Sequence, residues 1–261
     1  MVSAAEYIAD LTSRGRHHFT TEEAQAALGG SLPAVCASLR RLKRRREIAD
    51  PQRSFHVIVP PEYRRLGCLP PEQFIPQLME HLGEHYYVAL LSAAELHGAA
   101  HHRPQSFQVM LAKNRRPVVC GKVRVQFVAR HDLARTPTVE MNTPRGRMRV
   151  SSPEATALEL VGYVDQCAGL DNVASVLLDL AEGLNASKLA EAARLCPVAW
   201  VQRLGYLLDR TEKAEIANTL VEHVRVHAAV IAPLVRARPT ARAPRIMRWK
   251  LAVNASVESD S

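Results

Sequence analysis

Cysteine is sparse and unpatterned in this chain. Cys36, Cys68, Cys120, Cys167 and Cys196 form an odd set with no Cys-x-x-Cys spacing, which argues against a disulfide framework or a zinc knuckle and fits a reduced cytoplasmic protein. Long apolar runs are missing too. The most hydrophobic window, 86–100, is broken by Ser92, Glu95 and His97, and the opening Met-Val-Ser-Ala-Ala-Glu-Tyr has no basic stretch leading into an apolar core. Neither a membrane span nor a targeting segment is expected. Aromatic residues make up only 5% of the sequence, too few for the stacking platforms that hold single-stranded nucleic acid, and Trp200 and Trp249 are expected to fill cores. No glycine-rich loop follows a strand and no Gly-x-Ser-x-Gly elbow occurs, so phosphate-cradle and hydrolase signatures are lacking. Ser92 and His97 with a distant Asp make a poor triad. His97, His101 and His102 cluster without a cysteine or a defined carboxylate partner for zinc, and Glu95, Asp132, Glu140 and the Glu212-Lys213 pair match no metal-nuclease pattern. The chain is therefore read as a non-enzyme with no catalytic residue, no metal site and no cofactor.

What is present is local positive charge on a chain able to build cores. The formal charge is +8 with a pI near 9.5, while acids are scattered throughout. The positive excess is therefore local, which favours a polyanionic partner. Its clearest expression is the stretch from Gly29 to Arg46, Gly-Gly-Ser-Leu-Pro-Ala-Val-Cys-Ala-Ser-Leu-Arg-Arg-Leu-Lys-Arg-Arg-Arg. Leu32, Val35, Cys36, Leu39 and Leu42 recur at helical spacing, and Ala34, Ala37, Arg41 and Arg44 lie opposite them. Small residues early allow close approach to a groove; cations late reach phosphates.

The segments around it are consistent with that purpose. Ala4, Ile8 and Leu11 predict a first helix ending near Gly15. Thr20 and Glu23 predict a capping box that opens a second, which stops at Gly29-Gly30, and Ser31 and Pro33 then open the third. After Arg46 the period changes. Glu47-Ile48-Ala49 and Arg53 to Val59 read as two strands around a turn at Asp50-Pro51-Gln52, a wing whose Ile48, Phe55 and Val57 would pack on the helices. Residues 1–60 are thus expected to form a winged helix-turn-helix domain. Residues 61–71, with two Pro-Pro steps, are expected to be a stiff linker in which Arg64 and Arg65 are open to either phosphate contact or simple solvation.

Residues 72–261 are expected to form a larger mixed α/β domain with a small sheet and a C-terminal helical part, giving an α+β chain overall. Helices are predicted over Gln73–Leu82 and Tyr86–Leu96. Strands follow at Phe107–Leu111, Val118–Cys120 and Val123–Phe127, and Val139–Asn142 with Arg147–Val150 flank a hairpin turn. Ser152-Pro153 starts a run of helices: one holding Leu158 and Val161, then Asn172–Leu180, Ala186–Leu195, Val198–Leu208 and Glu212–Ala228. The alternating segment Ile246–Val253 is expected to return to the sheet. The acid-free group Arg236, Arg238, Arg242, Arg245, Arg248 and Lys250 is open to two readings, a solvated strip or an auxiliary contact surface.

Five blocks of this larger region carry a family resemblance. They are Tyr86 to Gly98 (Tyr-Tyr-Val-Ala-Leu-Leu-Ser-Ala-Ala-Glu-Leu-His-Gly), Val150 to Leu158, Gly169 to Val173, Arg203 to Leu208, and Trp249 to Asn254. In this order behind a winged helix they resemble AbiEi-type proteins, the antitoxins of abortive-infection (type IV) toxin-antitoxin systems. The resemblance implies a bifunctional protein. Its N-terminal domain would repress its own operon at inverted repeats in double-stranded promoter DNA, and its C-terminal domain would counteract a nucleotidyltransferase-type toxin without requiring a stable complex with it. On the residues themselves, the docking expected is a helix in the major groove. Ser31, Ala34, Ala37, Ser38 and Arg41 would lie nearest the base edges, and Arg40, Arg44, Arg45, Arg46 and Arg53 would neutralise phosphates. A single module covers a short site, so pairing of two monomers on DNA is expected. Two other readings stay open: a one-component regulator whose second domain senses a ligand, and a nucleic-acid enzyme targeted by the winged helix.

Overall fold

The structure is a computed structural model that describes residues 2–99, 104–211 and 213–257; His101, His102 and Glu212, named above, lie outside them. The fold is α+β. Two compact units are present: unit 1 comprises Met1–Tyr86, Gln105–His131 and Glu140–Arg149, and unit 2 comprises Tyr87–Pro104, Asp132–Val139 and Val150–Ser261.

Unit 1 begins with α1 (Ala4–Ser13), β1 (His18–Thr20), α2 (Thr21–Leu28), α3 (Leu32–Arg44), β2 (Ile48–Gln52) and β3 (Phe55–Ile58). Capping boxes start the first two helices, Ser3 with Glu6 and Thr20 with Glu23, each satisfying two otherwise orphaned amides. Gly29, at φ +67, ends α2. The three strands form an antiparallel sheet in the order β1-β3-β2. The hairpin turn falls at Arg53-Ser54, not at Asp50-Pro51-Gln52 as the Asp-Pro step suggested. A register shift between Ala49 and Gln52 absorbs Asp50 and Pro51 into β2, a bulge being where a strand tolerates a proline that cannot donate.

Alternation along this hairpin splits its side chains between two cores. Ile48 and Ile58 join Tyr7, Leu11, Phe19, Val35, Leu39 and Leu42 among the helices. Ala49, Phe55, Val57 and Val59 join a second cluster. Of the residues expected to pack on the helices, Ile48 does so, whereas Phe55 and Val57 face the opposite way, as the pleat requires of positions an odd number of residues from Ile58.

The second cluster is completed by α4 (Ile75–Leu82), β5 (Phe107–Leu111), β6 (Val118–Cys120) and β7 (Val123–Ala129). β5 and β7 are parallel and β6 is antiparallel to β7. Segment 61–71 contributes fully buried Cys68 and Leu69 to this core; it begins with a 3-10 turn at Pro61–Tyr63 and ends at the start of another at Pro71–Gln73. Here the backbones approach closely. Lys122 N–H donates to the Leu66 carbonyl at 2.8 Å, and a Cβ on Gly121, itself at φ +59, would lie 2.3 Å from that carbonyl oxygen.

The chain passes between the units within β4 (Tyr86–Val88), β8 (Thr138–Thr143) and β9 (Gly146–Ser151). The expected helix over Tyr86–Leu96 is instead β4 followed by α5 (Leu90–Leu96). The aromatic and β-branched Tyr-Tyr-Val step favours a strand, Val88 pairs in parallel with Val150, and Leu90 at φ +55 turns the chain into the helix.

In unit 2, α6 (Pro153–Gly162) is buried nearly all round, as a central helix must be, and packs against α5, α7 (Leu170–Ala181), α8 (Ala186–Ala193) and α9 (Val198–Leu208). α10 (Ala214–His227) covers α8 and α9. The segment expected to return to the larger sheet forms a separate small one, in which β12 (Leu251–Ala252) lies between β10 (Ala232–Pro233) and β11 (Arg245–Ile246).

The Gly121 contact has a measurable consequence. Gly121→Ala adds a left-handed penalty and a backbone clash, so a loss of roughly 2 kcal/mol or more is expected in urea unfolding. An unchanged midpoint would mean that the approach is not tight.

Candidate nucleic-acid interface

α3 is held from one side and open on the other. Val35, Leu39 and Leu42 are buried, while Ser31, Ala34, Arg40, Arg41, Arg44, Arg45 and Arg46 are exposed and Cys36, Ala37 and Ser38 are half-buried. Leu32, read as part of the buried stripe, is 46% exposed, because it precedes the first packed turn. Sequence periodicity had no means of separating it from Val35. It stands beside Ser31 on the open side.

The start of α3 leaves a hydroxyl unused. Ser31 takes the extended N-cap conformation and its carbonyl accepts from the Ala34 and Val35 amides, but its side chain makes no capping bond. The end is a tight reversal: Arg46 N–H donates to Lys43 O at 2.9 Å and Glu47 N–H to Leu42 O at 3.0 Å. This closing pattern places Arg46 at φ +58, a position where glycine is usual and another residue costs about 1 kcal/mol. Arg41, Lys43 and Arg44 lie in the last turn, where their charge favours the carbonyl end of the helix.

The arginines differ from Lys43 in availability. Arg41 donates to Ser38 Oγ at 2.9 Å, so these two side chains are presented as a pair. Among the described residues Arg40, Arg44, Arg45, Arg46 and Arg53 enter no ion pair. Lys43 is instead tied back to Asp50 Oδ2 at 2.6 Å, and the other Asp50 oxygen bonds His56 Nδ1 at 2.8 Å. His56 Nε2 lies 2.9 Å from Thr21 Oγ1, and the ring rests on Phe19 with 5.0 Å between centroids. This chain of contacts fixes the end of α3, the base of the hairpin and the start of α2 together. Burial of Asp50 pushes its carboxyl upward, but the bonds from His56 and Lys43 outweigh that and hold it below the ordinary 3.8. At the far end of the hairpin, exposed Arg53 and Ser54 at φ +62 form the tip.

Unit 2 contains polar clusters of a structural kind. Tyr87 donates to Glu159 Oε1 at 2.6 Å and lies 3.1 Å from Thr136 Oγ1. Burial, with the Glu159 charge adding to it, pushes the Cys167 thiol up to about 12, far from the thiolate a nucleophile needs. His97 Nε2 is 2.8 Å from the Ser151 carbonyl and so donates there. Among the described residues no group of three or more His, Cys, Asp or Glu side chains could hold a metal ion, and no helix is long and apolar enough to cross a membrane.

Residues 87–210 match the family model described as the AbiEi antitoxin C-terminal domain. Comparison with curated proteins gives no match. Among solved structures the chain is similar to the crystal structure of RV2827C protein from Mycobacterium tuberculosis, with a TM-score of 0.68, 16% identity, and 95% of this chain and 90% of that chain covered. That likeness is one of fold.

Asp50 gives this region a pH signature. A carboxylate held below its ordinary value stabilises the folded state above that value and ceases to do so as pH falls through the folded one. Asp50→Asn is expected to cost about 1–2 kcal/mol at pH 7, with the gap between wild type and variant narrowing in urea unfolding as pH is lowered below 3.8. A gap that stays constant down through the acid limb would assign the effect to packing.

Proposed function

From the premise that this chain belongs, through residues 87–210, to an AbiEi-like antitoxin family, we propose a cytoplasmic antitoxin that also represses its own operon. The observation that carries the antitoxin role is the family match over 87–210; the neutralising surface is assigned to that segment. The toxin is proposed to be of the nucleotidyltransferase class, acted on without a lasting complex.

The DNA-binding role rests on the open side of α3. Residues 1–60 are proposed to act as a winged helix-turn-helix on inverted repeats. Ser31, Ala34, Ala37, Ser38 and Arg41 meet base edges, with exposed Leu32 added to them as an apolar contact to thymine methyl groups. Arg40, Arg44, Arg45, Arg46 and Arg53 neutralise phosphates. The uncapped Ser31 hydroxyl, the Arg41–Ser38 pair and the arginines without acidic partners all support this docking. Pairing of two chains on repeats about 34 Å apart supplies the specificity one short site lacks.

Two measurements test the two roles separately. In binding to the duplex upstream of its own gene, Arg44→Ala should weaken affinity for all sequences and reduce the slope of log K against log salt by about 1, whereas Arg41→Ala should change sequence preference. Unaltered binding by both variants would refute the docking. In co-expression, the adjacent gene should be harmful alone and tolerated with the full chain. A chain carrying Arg40→Ala, Arg44→Ala and Arg45→Ala together should protect equally well, and loss of protection in that variant would refute the division of labour.

A further inference from the structure

Away from the tip of the hairpin, unit 1 has a cleft of about 420 Å³ at the hairpin's base, within the size range of small-ligand sites. Its lining includes Lys43, Arg46, Arg64, Arg65, Lys122 and Asp50. The carboxylate is already engaged on both oxygens by Lys43 and His56. Arg46, Arg64, Arg65 and Lys122 therefore face the cleft without an ion pair among the described residues. They come from three separate segments: the end of α3, the turn before Leu66, and the tip of the β6–β7 hairpin.

Like charges gathered at one cleft favour an anion there; the four side chains are exposed, and the backbone joins two of the three segments that carry them. The Lys122 amide is bonded to Leu66 O at 2.8 Å, and Gly121 and Gly67 are packed so closely that neither segment can swing away. Arg46 is held at φ +58, where glycine would relieve the strain but leave no side chain for the cleft. At the rim Val119 is 60% exposed, an apolar edge beside the cations.

We propose that this cleft binds a phosphoryl anion, of the size and charge of a nucleotide polyphosphate, through Arg46, Arg64, Arg65 and Lys122, with Val119 beside the ligand's apolar part. Arginine forks suit bidentate contact with phosphate oxygens, and the lysine adds a point charge. The proposal shares Arg46 with the DNA docking above but requires neither α3 in a groove nor a toxin, and its test leaves Arg46 unchanged, so failure of the Arg44 and Arg41 measurements leaves it standing.

The test is calorimetric titration of the full chain with inorganic pyrophosphate and separately with ATP at low salt. It uses wild type, the Arg65→Ala/Lys122→Ala double variant, and Arg65→Lys/Lys122→Arg as a variant that keeps the charge. Saturable binding of one anion per chain is expected, at least tenfold weaker in the alanine variant and retained in the charge-keeping one. The phosphate has a second possible source, duplex DNA. If neither free anion binds but the alanine variant lowers the salt slope of duplex binding by about 2, the site holds and DNA supplies its phosphate. Absence of anion binding together with an unchanged salt slope would overturn the proposal, as would anion binding that the alanine variant keeps in full.

Discussion

The burial of β3 on both faces is the constraint from which the rest of unit 1 follows. Phe55, Val57 and Val59 fill the core shared with α4 and β5 to β7, while Ile58, one position out of phase, fills the core of the three helices together with Ile48 of β2. Each such side chain is worth about 1.5–3 kcal/mol when removed from water, so a shift of register by one residue would expose several at once. Because register is fixed, so is the reversal that joins α3 to β2, and with it the direction in which the α3 arginines project. The Lys43–Asp50–His56–Thr21 chain adds polar bonds to the same junction. The open face of α3 is open because the closed face is committed.

Unit 2 uses a different device, the pairing of a helical glycine with an indole. Gly205 of α9 lies under Trp249, where a Cβ would sit 2.2 Å from the ring, and Gly162 of α6 lies under Trp200 in the same way. Glycine costs a helix about 0.5–1 kcal/mol, less than burial of the ring returns. Polar bonds then complete the seat of Trp249: its Nε1 donates to Asp209 at 2.6 Å, and Gln202 Nε2 donates to Lys250 O at 2.7 Å. The sequence blocks at 203–208 and 249–254 thus meet in one contact, although some forty residues separate them along the chain.

Local signals were readable and distant ones were not. The Thr20–Glu23 capping box, the Gly29 stop and the outward cations of α3 all depend on neighbours within a few positions, and each could be read from spacing alone. The Asp50-Pro51 step misled because local turn chemistry was overruled by a bulge within a sheet that includes β1, a three-residue strand too short to give a period. Tyr86–Leu96 is an apolar run in which period cannot separate strand from helix, and the pairing of Val88 with Val150 decides it. Lys43 looked like one more solvent-facing cation because nothing in the α3 spacing shows that Asp50 takes it. For the same reason Lys122, remote in sequence from Arg46, could not be grouped with it.

The two-faced hairpin also determines how the proposed roles can be separated. A cut after residue 71 would remove Ala49, Phe55, Val57, Val59, Cys68 and Leu69 from a core whose remaining members, among them Leu78, Val109, Val125 and Phe127, belong to later segments. The fragment would then expose an apolar surface, and its failure to protect would report misfolding as readily as loss of a function. The α3 arginines contribute no buried surface on which that core depends; they are exposed, and their removal leaves Val35, Leu39 and Leu42 in place. Charge can therefore be removed from the open side of α3 without disturbing the hairpin that supports it. Separation by substitution is physically clean in this fold, and separation by truncation is not.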